Sequence, residues 1–182
     1  LKEGQVSKGP YEHFMQKEIF EQPQAIRDTL ESRITKNKVA ISSFGPSAKK
    51  VFNKIKQVQI VACGTSFNAG IVAKYWLEDI AKIPCSVEVA SEYRYRHPIL
   101  LDDTLFITIS QSGETADTIE ALKVAKKINN KINTICINNS KESSLSRMSD
   151  INFLTHAGPE IGVASTKAFT TQLVALALLT SC

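Results

Sequence analysis

The stretch Phe106-Ile-Thr-Ile-Ser-Gln-Ser-Gly-Glu-Thr115 decides the fold class. A short apolar, β-branched run drives into a cluster of hydroxyls, an amide and a glycine, and a helical pattern follows at once over Thr115–Ile128. Such a run is a buried strand that delivers small hydrogen-bond donors to the mouth of a site. Ser110, Gln111, Ser112 and Thr115 can all donate, and Gly113 has no Cβ to block an approaching ligand. The free N–H groups and the positive dipole end of the following helix lie at the same place, which suits a phosphate. Helix capping is the simpler use of Ser and Thr here, but a single hydroxyl would satisfy that need.

Outward from this stretch the same rhythm repeats. Gln57–Cys63 reads as a strand and Phe67–Ile80 as a helix; Ser86–Val89 is a strand followed by the polar and aromatic segment Ser91–Arg96. Thr104–Ser110 and Lys131–Asn138 are the next strands, Ser143–Met148 is a helical turn, Asp150–Leu154 a fifth strand and Ser165–Leu179 the last helix, with Ser165 at its N-cap. Strands that are apolar throughout and alternate with helices imply a parallel sheet covered on both faces. Right-handed crossovers then give a three-layer α/β/α domain over 56–182. In the flavodoxin-like order 2-1-3-4-5, strands one and three meet where the winding reverses, and ligands bind beyond the carboxyl ends there. Cys63-Gly64-Thr65-Ser66 follows the first strand and Ser110–Thr115 the third, so two polar strand-to-helix turns should face one crevice.

Upstream, 1–10 is polar with two glycines and a proline and reads as a linker, and 11–55 as a helical arm. From Tyr11 to Ile34 apolar residues fall at three- and four-residue steps, and Pro23 should kink or divide this helix near Glu21–Gln22. Glu12, Lys17, Glu18, Arg27 and Asp28 form a charged face expected to be solvated, and Ser47–Ile55 a short further helix. The chain lacks an initial Met and stops inside an apolar helical pattern, so it is expected to be a piece of a longer protein. A net charge of +4 without a dense basic block argues against nucleic acid, and Leu173–Leu179, the longest uncharged apolar run, is too short to span a membrane. Four cysteines scattered beside apolar runs fit buried thiols in a reducing cytosol better than a disulfide framework.

Other chemistry finds little support. There is no G-x-G-x-x-G after the first strand and no G-x-x-x-x-G-K-[ST] loop. A flavin mononucleotide phosphate could occupy such turns, yet Trp76, the ring available to cover a flavin, sits mid-helix where core packing suits it. His13, His97 and His156 lack ligand spacing, so no metal site is expected, and no Ser-His-Asp or Cys-His set can be assembled. Glu114 in the helix's first turn is favoured by the dipole and would repel a phosphate, so its expected role is structural. Glu160–Lys167, with Gly162 in it, could close over a ligand from the fifth strand's end. Lys167 is either a charge partner for that ligand or, more commonly for a lysine, solvated.

Cys63–Ser66, Ser110–Thr115 and Glu160–Lys167 resemble the phosphosugar-binding loops of sugar isomerase (SIS) domains. More narrowly, His13–Pro23, Ala90–Arg96, Ser110–Asp117 and Glu160–Leu173 resemble the glucosamine-fructose-6-phosphate aminotransferases, and the resemblance covers almost the whole chain. It implies the first of two SIS domains in the isomerase half of an enzyme. That enzyme takes ammonia from glutamine in an N-terminal glutaminase domain and converts fructose 6-phosphate to glucosamine 6-phosphate. By the same resemblance Ser66, Ser110, Gln111, Ser112 and Thr115 would hold the sugar phosphate, Gly64 and Thr65 would line that turn, and Val163 (through its backbone) and Ser165 would contact the sugar end. The family's Schiff-base lysine, glutamate base, ring-opening histidine and glutaminase cysteine belong to other parts of the enzyme. The chain is therefore expected to bind and not to catalyse, with no catalytic residue, metal or cofactor of its own. Family membership further implies a cytoplasmic homodimer. The alternative is a phosphosugar-sensing SIS module of a regulator; it would call for a basic helix-turn-helix upstream, where the Met15-Gln-Lys-Glu-Ile19 arm stands instead.

Overall fold

The computed structural model describes residues 7–182. Of the predicted linker (1–10), 1–6 lie outside the described residues and 7–10 hold no helix or strand; the helix expected from Tyr11 begins at Phe14.

Five strands, β3 (Gln57–Ala62), β4 (Cys85–Val89), β5 (Thr104–Ile109), β6 (Asn133–Asn138) and β7 (Ile151–Leu154), form one parallel sheet in the order β4-β3-β5-β6-β7. That is the predicted 2-1-3-4-5 arrangement. The register is continuous across the middle, with Val58 opposite Leu105 and Ile60 opposite Ile107, and then Ile107 opposite Ile135. Side-chain alternation splits the core in two. Val58, Ile60 and Ala62, with Leu105, Ile107 and Ile109, pack on α3 (Gly64–Asp79) and α7 (Lys167–Thr180). Val61, Phe106 and Cys136 point the other way, onto α4 (Ala90–Tyr93), α5 (Ala116–Ile128) and α6 (Ser144–Met148). The polar and aromatic segment after the second strand starts as a helical turn that buries Ala90 and Tyr93, and Tyr93 packs on Phe106 with ring centroids 5.5 Å apart. Gly70 lets α3 sit close to the sheet: a Cβ there would stand 3.0 Å from both Ile60 and Val87 side chains.

The arm differs from its sequence reading in three ways. First, α1 (Phe14–Leu30) runs through Pro23 without dividing. Proline removes the N–H that Ile19 O would accept, and the Gln22 side-chain amide donates to that carbonyl instead, at 3.0 Å. Second, Ile34 is not helical. The chain leaves the helix through Ser32 (φ +60°) and folds a small hairpin of β1 (Ile34–Thr35) and β2 (Lys38–Val39). Its two-residue turn, Lys36-Asn37, has both φ values positive, the geometry that matches strand twist in tight hairpins. A 3₁₀ turn over Ile41–Phe44 and α2 (Ala48–Phe52) then lead into β3. Third, the charged face is not all solvated: Glu18 is only 2% exposed. The arm's far end is secured by Arg33, whose guanidinium lies 3.9 Å from the Phe153 ring centroid and donates to Leu154 O.

All four cysteines are free; burial pushes the Cys85 and Cys136 thiols up to about 12. Among the described residues no helix is long and apolar enough to cross a membrane, and no cluster of His, Cys, Asp and Glu could hold a metal ion.

Candidate functional site

Because β3 and β5 are neighbours with Ala62 opposite Ile109, the turns that follow them leave the sheet side by side. In the first turn Gly64 takes φ +57° and opens α3, with nothing within 4 Å of where its Cβ would be. The residue before it, Cys63, gives the helix no side-chain cap. Thr65 is exposed and Ser66 is 7% exposed, and neither side chain has a hydrogen-bond partner among the described residues. The first N–H groups of a 16-residue helix are therefore open.

In the second turn the hydroxyls are internally ordered. Ser110, 2% exposed, accepts from Gly113 N–H at 3.0 Å and shares a 2.7 Å bond with the Thr115 hydroxyl. Ser112 Oγ accepts from Glu114 N–H at 3.1 Å, which leaves its own proton to donate outward. The Gln111 side chain has no partner among the described residues. Thr115 stands at the N-cap position of α5 but does not cap it. The capping role weighed for these residues is thus not how they are used. By contrast Ser143 does cap α6, accepting from Ser146 N–H at 3.2 Å.

Gly113 serves a different purpose from the one its sequence suggests. A Cβ there, at φ +70°, would meet Ser143 Cβ at 2.5 Å and Asn138 Nδ2 at 2.8 Å. It makes room for a neighbouring loop, not for a ligand. Glu114 takes the structural role expected of it, though on another helix: its carboxylate accepts from Ser144 N–H at 2.7 Å, and hydrogen bonding by Ser144, first through its hydroxyl and then through this N–H, holds its pKa below the usual 4.5. Asp117, in the first turn of α5, is tied to Arg94 at 2.6 Å. Both carboxylates at the head of α5 are thus committed elsewhere, and neither is left to oppose an anion in the crevice.

Val163 and Ser165 lie on the loop between β7 and α7. No hydrogen bond joins this loop to either turn among the described residues. The Val163 side chain is fully exposed. Ser165 is not the N-cap; that position is Thr166, which also makes no side-chain cap. Glu160 caps α7 instead, accepting from Thr166 N–H at 2.9 Å and Ala168 N–H at 3.1 Å, and it takes the Ser165 hydroxyl at 3.1 Å. Lys167 is neither solvated nor poised for a ligand: it is 4% exposed and pairs with Glu21 of α1 at 2.6 Å.

Asn138 and Asn139, at the carboxyl end of β6, went unnoticed in the sequence. Asn138 is fully buried and donates to Ser143 and Ser146 hydroxyls at 2.6 and 2.7 Å. Asn139 N–H donates to Gln111 O at 3.1 Å, and its side chain holds Ala157 N–H and Gly158 O at 2.8 and 2.7 Å. This residue links the β5 turn to the loop after β7. The signal was present: two polar amides end a buried apolar strand, as hydroxyls end β5. A cavity of about 380 Å³ lies at the opposite, amino end of the sheet, bounded by Phe52, Val58, Leu77, Leu105 and Leu179, and none of these residues belongs to the turns.

What the crevice offers is a set of neutral donors: hydroxyls, an amide, and the open ends of two helices. It can hold a small polyanion by directed hydrogen bonds; none of the turn residues is a base or nucleophile with an activating partner.

Known proteins agree with this geometry. The model of the SIS domain matches residues 51–181. The chain is 61% identical over 96% of its length to a glutamine–fructose-6-phosphate aminotransferase (isomerizing) of Pseudomonas aeruginosa, and 57% identical over 96% to that of Francisella tularensis. It spans about 28% of the length of either relative. Among solved structures it resembles the C-terminal domain of glucosamine-fructose-6-phosphate aminotransferase from Francisella tularensis, with a TM-score of 0.92 and 56% identity, over 96% of this chain and 49% of that one. With the family model matching well over half its length and the parallel sheet ordered as expected, this chain belongs to the SIS domain family.

Proposed function

We propose that the chain is the first phosphosugar-binding domain of a glutamine–fructose-6-phosphate aminotransferase, and that it holds the phosphate of fructose 6-phosphate and of the product glucosamine 6-phosphate. One observation carries this reading: two helices begin without side-chain caps on adjacent strands, and Thr65, Ser66 and Gln111 stand there with unpartnered polar side chains. Ser66, Ser112, Gln111 and Thr115 donate to the phosphate oxygens, Ser110 orders the second turn from within, and Gly64 and Thr65 line the first. Val163, through its backbone, and Ser165 meet the sugar end. Ammonia release and isomerisation fall to a glutaminase domain and a second SIS domain of the same protein, so this chain binds without turning over. The full enzyme acts as a cytoplasmic homodimer in this reading. The names of the relatives, aligned over 96% of this chain, support the aminotransferase assignment.

Titration calorimetry tests the assignment. The chain is expected to bind fructose 6-phosphate and glucosamine 6-phosphate and to give no signal with fructose; equal responses to fructose and its phosphate would remove the phosphate from the site. Ser112→Ala should weaken phosphate-ester binding by about tenfold or more, since a hydrogen bond to a charged group contributes about 1.5–3 kcal/mol. Its side chain is exposed and its one internal bond is local. The melting temperature should therefore move by no more than about 2 °C. A larger thermal loss without a binding loss would return Ser112 to a purely structural role.

A further inference from the structure

The loop meant for the sugar end is held at its middle by α1. Glu18, Glu21 and Gln22 occupy i, i+3 and i+4 and so share one face of the helix. Each reaches the loop or the start of α7. Glu21 pairs with Lys167 at 2.6 Å, and Gln22 accepts from the Thr170 hydroxyl. Glu18 accepts from two successive backbone amides, Ile161 N–H at 2.5 Å and Gly162 N–H at 3.1 Å to each carboxylate oxygen. The approach is close: a Cβ on Gly162 would stand 2.5 Å from Glu18 Oε2 and 3.3 Å from Met15 Cα, so a side chain there would displace the carboxylate.

A carboxylate this buried is costly unless its oxygens are hydrogen-bonded, and here both oxygens accept from these two amides. Two consecutive N–H groups directed at one carboxylate fix the peptide planes on either side of Ile161, and so the place of Gly162, from which the chain proceeds to Val163. Three and four residues on from Gly162, Glu160 fixes Ser165 and Thr166. Val163 and Ala164 bridge the two anchors, exposed.

We propose that Glu18 is a positioning residue for sugar recognition: from the arm it sets the backbone of the loop that reads the sugar, while the phosphate is held independently by the β3 and β5 turns. The proposal rests on the reading above that Val163 and Ser165 meet the sugar end. It divides the ligand between two supports. The phosphate turns sit on the sheet, and the sugar loop hangs from α1.

The test compares inorganic phosphate with fructose 6-phosphate on the same 182-residue chain and its variants, by calorimetry. Wild type is expected to bind the sugar phosphate more tightly than phosphate alone. Glu18→Ala should weaken fructose 6-phosphate by about fivefold or more, because apparent affinity falls with the fraction of loops in the competent shape. Inorganic phosphate should change by less than about twofold. Glu18→Gln keeps one acceptor and the packing, and should recover part of the loss; it also carries the test should the alanine variant not fold. Amide exchange at Ile161 and Gly162 should quicken in both variants while Ser110–Thr115 stays unchanged. Equal losses for both ligands, or no loss for either, would overturn the proposal, as would a wild type that binds the sugar phosphate no more tightly than phosphate, with the phosphate site left standing. A wild type that binds neither ligand would overturn both.

Discussion

Gly113→Ala is expected to lower the melting temperature by roughly 5–15 °C and to abolish phosphate-ester binding, whereas Gly64→Ala should cost only a few degrees. Both glycines have positive φ, +70° and +57°, so alanine at either site incurs a backbone cost of about 1–2 kcal/mol. Space separates them. At Gly64 the added methyl meets nothing within 4 Å. At Gly113 it runs into Ser143 and the Asn138 amide, and overpacking of this kind costs about 1–3 kcal/mol more. The turn cannot shift to relieve it, since Gly113 N–H donates to Ser110 Oγ and Gly113 O accepts from Leu145 N–H at 3.1 Å. Thermal denaturation of the two variants decides the matter. If Gly113 served only to admit a ligand, its alanine variant would melt with Gly64→Ala, a few degrees below wild type, and lose binding besides.

That contrast marks where the sequence is legible. Periodicity and apolar content sufficed for the sheet and its order, because strands buried on both faces leave continuous β-branched runs and because crossovers have one hand. The donors of the two turns could be named for the same reason: a strand's end fixes where its next residues stand. Gly113 shows the limit. The sequence tells that a glycine is required at that point, not which neighbour requires it, and Ser143 is thirty residues away. Glu18 is a stronger case. On a helical wheel it belongs to a charged face with Lys17, and only a contact spanning 143 residues, to Ile161, removes it from water. Pro23 misled in the opposite way. Its preceding residue, Gln22, supplies the missing donor, a local compensation that propensity rules do not include. Lys167 likewise was judged by the habits of lysines in general, while its surroundings were set by α1.

Asn139→Ala is expected to reduce stability by about 2–4 kcal/mol and to weaken sugar-phosphate binding more than inorganic-phosphate binding. Three hydrogen bonds of its side chain are lost: Oδ1 accepts from the Thr155 hydroxyl at 3.2 Å and from Ala157 N–H at 2.8 Å, and Nδ2 donates to Gly158 O at 2.7 Å. Two of these three partners are buried residues, Thr155 and Ala157, so their groups are left without partners and away from water. At about 2–4 °C per kcal/mol for a chain of this size, the melting temperature should fall by roughly 5–15 °C. Asn139→Asp separates the amide's two functions. An aspartate still accepts from Thr155 and Ala157, but it sets a negative oxygen against the Gly158 carbonyl where an N–H stood. It should therefore be nearly as damaging as alanine despite its shape. The backbone bond from Asn139 N–H to Gln111 O persists in either variant, so the β5 turn should keep its hold on phosphate while the loop beyond β7 loosens. Full retention of stability in the aspartate variant would show that the acceptor alone carries the residue's role, and would detach Gly158 from the support of the sugar loop.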